Sequence, residues 1–243
     1  MIVLKIHLVK QVFLKDFIKN IVYRFGRGII NLYAILMLHI DIRWLDKLPE
    51  GPVIIAANHP SATDPFLIHL VSHKPISVCI THTAFAVPIL GAFMRVVHQI
   101  SVIPGYGEKT LARAVQMMSM GRAVAIFPEG LISPIEGGYH QPRSGVARLA
   151  LSTGVPVIPV GISLNKKLST RITSGISGSQ TTAWWYLRGP YVVTVGQPLR
   201  FEGASEDRKK VQSVSRQIMD SIQALVNESE RRRLKKKRGL TAG

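Results

Sequence analysis

A single cysteine, Cys79, stands among the 243 residues, so no intrachain disulfide forms, and a zinc site built on four cysteines, or on two cysteines with two histidines, cannot be assembled. The eight histidines include no His-Glu-x-x-His pair, and neither a metal nor any other cofactor is expected. Acidic side chains are scarce: fourteen against thirty-one Lys and Arg give a formal net charge of +17. Such a surface attracts polyanions, whether anionic lipid, nucleic acid or an acidic carrier protein. Aromatics make up only 7% of residues, and no recognition pattern interleaves them with basic side chains, which weighs against nucleic acid as a partner. No apolar run reaches the ~20 residues that span a bilayer; the longest, Ile29 to Ile40, is barely more than half of that. A secretory leader is not expected, because lysines recur through the N-terminal apolar stretch and no small-residue cleavage site follows it. The Gly-x-Ser-x-Gly of a serine nucleophile elbow is absent. Gly105-Tyr106-Gly107-Glu108-Lys109-Thr110 lacks both the third glycine of a dinucleotide fingerprint and the Gly-Lys-Thr of a P-loop; it reads as a turn leading into a helix, from which Lys109 can reach a substrate.

What is present suffices for one substantial core, since 47% of side chains are apolar and 19% charged, a balance that excludes global disorder. Large aliphatics from Ile2 to Val22 are punctuated by Lys5, Lys10, Lys15 and Lys19, the pattern of a basic amphipathic helix lying in a membrane interface. After Gly26 and Gly28 comes the apolar run to Ile40, read as a second helix. Residues 1–40 are therefore expected to form membrane-attachment helices, with two ordinary core-covering helices as the alternative. At the other end, Arg231, Arg232, Arg233, Lys235, Lys236, Lys237 and Arg238 make residues 231–243 a basic tail, either a solvated terminus or an adhesive one on an anionic surface.

Between these ends short β-rich runs alternate with helical stretches, which predicts an α/β fold with a mixed, mostly parallel sheet flanked by helices. Strands are expected at His39 to Trp44, Val53 to Ala57, Ile76 to Ile80, Gln99 to Ile103, Ala123 to Phe127, Val157 to Ile162 and Tyr191 to Val195. Helices are expected at Pro65 to Ser72, Ala84 to Val97, Lys109 to Met120, Ser144 to Ser152 and Glu206 to Arg233. The Ser, Thr and Gly of Lys166 to Thr182 read as a loop. One catalytic domain over residues 41–230 is the simplest partition.

The chemistry starts where the second strand ends, in Asn58-His59-Pro60-Ser61-Ala62-Thr63-Asp64-Pro65. On a continuous helix His59 and Asp64 would face different sides, so they meet only across a turn, which the two prolines favour. Pro65 suits a first helical position, which makes Asp64 the expected N-cap of the following helix. A carboxylate accepting from Nδ1 fixes the imidazole tautomer and leaves Nε2 free to take a proton from a hydroxyl, as a general base does. Phe127-Pro128-Glu129-Gly130 closes another strand, and strand ends are where α/β sheets bind ligands. Val155 to Val160 reads as an apolar strand able to line an acyl-chain pocket. Cys79 lies mid-strand and reads as core, and Ser61 shows no sign of nucleophilicity.

Together Asn58-His59 with Asp64, Phe127-Pro128-Glu129-Gly130 and Val155 to Val160 resemble, in order and spacing, the blocks of the glycerolipid acyltransferases, a family that includes bacterial 1-acylglycerol-3-phosphate acyltransferases. The resemblance runs from about residue 40 to 200. It implies transfer of a fatty acyl group from an acyl-CoA or acyl-carrier-protein thioester to a hydroxyl of a lysophospholipid, on the cytoplasmic face of an anionic membrane, with His59 as general base, Asp64 as its partner and backbone donors at the strand ends holding the oxyanion. A thioesterase using the same pair with water is the rival enzyme, and a basic membrane- or nucleic-acid-binding protein the rival without chemistry. The chain departs from the family pattern twice. Ile103-Pro104-Gly105 stands where an Asp or Asn followed by Arg is usual, and Leu131-Ile132-Ser133 where Thr-Arg-Ser is frequent. A phosphate on the acceptor would then fall to Arg95, Lys109, Arg113 or Arg143, of which Arg143, ahead of a helix, is best placed.

Overall fold

A computed structural model describes residues 2–176 and 179–240. The chain opens with α1 (Ile2–Leu38), β1 (Asp41–Trp44), β2 (Ile54–Ala57), the short α2 (Asp64–Leu67) and β3 (Ile76–Thr81). It continues through α3 (Pro88–Val96), β4 (Ile100–Val102), α4 (Gly107–Ser119), β5 (Ala123–Ile126), α5 (Gly145–Thr153) and β6 (Val157–Leu164). A hairpin of β7 (Thr170–Ile176) and β8 (Ser179–Trp185) precedes β9 (Tyr191–Val195) and the long α6 (Arg208–Leu240).

Seven strands form one sheet in the order β1-β9-β6-β2-β5-β3-β4. Only the β6–β9 pairing is antiparallel; the other neighbours run parallel. Period-2 alternation divides the central strands between two cores, as a sheet covered on both faces requires. Ile55 and Ala57 join the cluster that includes Ala34 and Leu38 of α1, whereas Ile54 and Ala56 join that of α4, α5 and α6. The mostly parallel α/β sheet and its seven strands are thus as the sequence implies.

Three expectations need correction. First, α1 is one helix through Gly26 and Gly28, not two. A glycine costs a helix only about 1 kcal/mol, and a Cβ at Gly26 would come within 2.7 Å of Phe93 Cζ, so this glycine serves close packing of α1 on α3. Its segment Phe17–Leu38, 22 residues, is long and apolar enough to cross a membrane by length and composition; the run counted from the sequence stopped at glycines that the helix passes through. Secondly, Lys166 to Thr182 contributes a 3-10 turn at Lys166–Leu168 and most of the β7–β8 hairpin. Both faces of the hairpin carry polar or exposed residues, so no apolar alternation marks it as strand. Thirdly, the tail begins inside α6 and is partly built into the fold. Arg232 pairs with Asp41 and donates to Val193 O at 2.9 Å, Arg233 Nε donates to Ser163 Oγ at 3.1 Å, and Lys236 Nζ lies 3.0 Å from Asp41. The expectation reaches residues 241–243, which lie outside the described residues.

Candidate active site

Because β2 and β5 are parallel neighbours, the turns that follow them emerge side by side at one edge of the sheet. Asn58 fastens the first: its side-chain nitrogen donates to Ile162 O at 2.9 Å and its oxygen accepts from Ile162 N at 2.8 Å. These two bonds continue the β2–β6 ladder past its last backbone pair and fix the direction in which His59 leaves the sheet.

His59 and Asp64 meet across the turn. Nδ1 of His59 lies 2.9 Å from Asp64 Oδ2, and the same oxygen accepts the Ser61 N–H at 2.8 Å. Asp64 Oδ1 accepts the Tyr191 hydroxyl at 2.8 Å. Asp64 is fully buried, and burial holds its carboxyl above the usual range against the pull of these donors. The imidazole stacks on Phe127, with centroids 4.2 Å apart and planes at 19°, and its side chain keeps 15% exposure. A carboxylate thus orients one ring nitrogen, an aromatic face supports the ring, and the residue retains solvent contact.

The capping role expected of Asp64 is not observed. α2 begins at Asp64 itself, with Thr63 in the cap position and no side-chain cap bond. The carboxylate is instead committed to His59, Ser61 and Tyr191, and Pro65 stands within the first turn. Ser61 is a hub rather than a nucleophile: fully buried, its Oγ accepts from the N–H groups of Thr63 and Tyr186, both near 3 Å.

Glu129, 1% exposed, closes the second turn. Its Oε1 accepts the His59 N–H at 3.1 Å and the Ser133 hydroxyl at 2.6 Å, and its Oε2 accepts the His140 N–H at 3.0 Å. Ser133 N–H returns to His59 O at 2.7 Å, so the two turns are cross-stitched. Gly130 adopts φ +66°, a left-handed conformation that favours glycine, and Arg143 packs over it so closely that a Cβ there would lie 2.5 Å from Arg143 Nε. Arg143 N–H is anchored on Pro128 O at 2.8 Å. The N–H groups of His59, Ser61, Ala62, Gly130 and Ser133 are all held by protein acceptors, so these five strand-end amides are not the oxyanion donors that the sequence suggests.

Of the expected site residues, the structure gathers Asn58, His59, Asp64, Phe127, Pro128, Glu129, Gly130 and Arg143. Arg95 and Lys109 engage other partners. Arg95 donates to Phe85 O at 2.9 Å and lines an open cleft of about 520 Å3 with His82, Gln99, Ser101 and Arg113, while Lys109 Nζ sits 4.7 Å from the Tyr106 ring centre. Of Val155 to Val160, expected to line an acyl-chain pocket, Val155 is half-buried against the second core cluster and the rest are buried in the sheet between β9 and β2; their place is in the core. Cys79 packs against the second core cluster, and burial pushes its thiol up to about 12. No group of three or more potential metal-ligating side chains occurs among the described residues. The sequence reading missed Tyr191, Ser133 and His140 as site residues; Ser133 stands four positions after Glu129 in the block already singled out, whereas Tyr191, 127 positions from Asp64, is signalled only by its place in space.

The acyltransferase family model matches residues 39–163, just over half of the chain, and that range holds both turns. A 1-acyl-sn-glycerol-3-phosphate acyltransferase of Brassica napus is 28% identical over 63% of this chain and 46% of its own length. One from Pseudomonas aeruginosa is 29% identical over 49% and 48%, and one from Saccharomyces cerevisiae 24% identical over 78% and 62%. The chain thus spans about half the length of the first of these relatives. The crystal structure of the 1-acyl-sn-glycerophosphate acyltransferase PlsC from Thermotoga maritima superposes with a TM-score of 0.60 at 18% identity, covering 88% of this chain and 80% of that one, which establishes a shared fold. With the site blocks inside the matched range and the same fold around them, the chain belongs to the acyltransferase family.

Proposed function

We propose that the protein transfers a fatty acyl group from an acyl-CoA or acyl-carrier-protein thioester to a hydroxyl of a lysophospholipid of the 1-acylglycerol-3-phosphate type. The observation that carries this reading is the His59–Asp64 pair, oriented at one nitrogen, supported by Phe127 and reachable from solvent. Nε2 of His59 takes the acceptor proton as the hydroxyl oxygen attacks the thioester carbonyl. Collapse of the tetrahedral intermediate breaks the carbon–sulfur bond, and the leaving thiolate recovers the proton from the imidazolium. No cofactor enters. Arg143, held over Gly130 beside Glu129, is the cation assigned to the acceptor phosphate. Pro104 and Ile132 stand at the two places where the family pattern has arginine, which puts more weight on Arg143.

In this reading residues 1–40 attach the enzyme to the cytoplasmic face of an anionic membrane, residues 41–230 carry catalysis and residues 231–243 add basic charge. The partition is one of roles rather than of packing, because Tyr23, Ala34 and Leu38 of α1 are buried. On the opposite side of α1, Phe17, Ile18, Ile21, Phe25, Ile29 and Leu32 are exposed within an arc of about 120°, an apolar stripe fit for lipid. Mass spectrometry of the products from a panel of acyl thioesters, with and without lysolipid, tests the activity. The expected product is a diacyl lipid formed only when both substrates are present; free fatty acid released equally without lysolipid would make the protein a thioesterase.

A further inference from the structure

One buried phenol bonded to the catalytic pair takes no part in the general-base step. We propose that Tyr191, at the start of β9, is a positioning residue that acts through Asp64 to set the orientation and proton affinity of His59. The proposal rests on the acyltransfer reading only in taking His59 as the base.

The two oxygens of Asp64 divide their partners. Oδ2 serves His59 and the Ser61 N–H, whereas Oδ1 accepts the Tyr191 hydroxyl at 2.8 Å. Both residues are buried, Asp64 at 0% and Tyr191 at 1% exposure, so solvent does not compete for that oxygen. Burial and the neighbouring Asp64 charge push the phenol well above its ordinary value, which keeps Tyr191 protonated as a donor at any working pH. The strand that carries it lies two places from β2, across β6. The chain just before it fastens the same turn: Ala62 N–H donates to Trp184 O at 2.8 Å, Tyr186 N–H to Ser61 Oγ at 2.9 Å and Thr63 Oγ1 to Tyr186 O at 3.1 Å. Residues 184–191 lie outside the family-matched range of 39–163, yet they hold the catalytic turn from its C-terminal side.

A donor on an anionic pair stabilises the pair's deprotonated form. Removing the Tyr191 hydroxyl therefore raises the proton affinity of the His59–Asp64 pair, and the acid limb of the rate profile, which requires neutral His59, moves to higher pH. The ionisable groups facing the pair are Tyr191 on β9, Glu129 on the turn after β5, Arg143 over Gly130, and Tyr186 at the hairpin exit, whose hydroxyl is turned to Pro190 O at 3.1 Å. None of these is altered chemically by Tyr191→Phe except Tyr191 itself.

The test is the pH dependence of kcat/KM for the full chain in lipid vesicles. With Tyr191→Phe the acid limb is expected to rise by about one pH unit and kcat to fall about tenfold, with both Michaelis constants within about twofold of wild type. Site-specific replacement of Tyr191 by 3-fluorotyrosine, which keeps the shape and makes the phenol a stronger donor, should move the limb the other way and keeps the test decisive where the Phe variant does not fold. Tyr23→Phe removes a buried phenol bonded to His69 and Ile76, away from the pair, and should leave the limb in place. An unmoved limb in both Tyr191 variants, with loss of stability alone, would overturn the proposal. NMR titration of His59 in the same proteins reads the coupling directly, so absence of lysolipid acylation would count against the acyltransfer reading without deciding this one.

Discussion

Replacing Glu129 by alanine strikes the connection between the two strand-end turns of the candidate site. The wild-type carboxylate accepts three hydrogen bonds, from His59 N–H, Ser133 Oγ and His140 N–H. Alanine leaves all three donors without their acceptor in a site where Ser133 is 4% exposed. At roughly 1 kcal/mol for each partly buried amide and about 2 for the buried hydroxyl, Glu129→Ala should lose about 3 to 5 kcal/mol, a large part of the ~5–15 kcal/mol that typically holds a domain together. Glu129→Gln keeps the shape and one acceptor oxygen and sheds the cost of a buried charge, so it should lose only about 1 to 2 kcal/mol. Urea unfolding followed by circular dichroism, with unchanged denaturant slopes, measures both. Activity should follow the same order: the glutamine variant keeps a sizeable part, and the alanine variant loses most, because His59 no longer leaves β2 in a fixed direction. A Glu129→Ala protein within about 0.5 kcal/mol of wild type, below the cost of even one such bond, would refute this bracing role. A basic limb of the pH–rate profile that vanished in Glu129→Gln would instead make Glu129 an acid–base group.

Two further outcomes follow from the geometry. Burial lowers the His69 imidazole to about 3 from 6.5; its folded value is depressed, so its neutral form stabilises the fold above pH 6.5, and that contribution is lost as pH falls from there toward 3. The melting temperature of the wild type should therefore drop below pH 6.5 with a slope set by about 1.4 kcal/mol per pH unit from this residue; His69→Gln should be less steep, and an identical slope in the two proteins would clear His69. Arg143→Ala should raise the Michaelis constant of phosphate-bearing acceptors roughly ten- to hundredfold and leave that of the acyl donor unchanged, and Gly130→Ala should do the same by displacing Arg143. Equal rates for a lysolipid and its dephosphorylated counterpart on wild type would argue for a neutral hydroxyl acceptor.

The seven sheet strands and the two strand-end motifs were legible because local chemistry specifies them. β2, β5 and β6 are short apolar runs between turn residues, and His59 and Asp64 are held together by a turn only five residues long. What escaped is what depends on the third dimension. Tyr191 reads as one more aromatic in a strand, and only the order β9-β6-β2 with its antiparallel step brings its hydroxyl to Asp64. The hairpin shows no alternation, and among its residues with described burial none is fully buried. Gly26 reads as a break between helices, whereas contact with Phe93 makes it a packing position inside one. Asp64 before Pro65 has the local signature of a helix cap, and the three donors around its carboxylate override that preference.

The most direct test of the central claim is the rate of lysolipid acylation by His59→Ala, compared with wild type in a protein shown to be folded. The side chain of His59 contributes little to the core, so the fold should survive. Loss of the proposed general base should lower turnover by at least ~10²-fold with both Michaelis constants little changed. A folded His59→Ala enzyme that acylates the lysolipid at nearly the wild-type rate would contradict the account at its base.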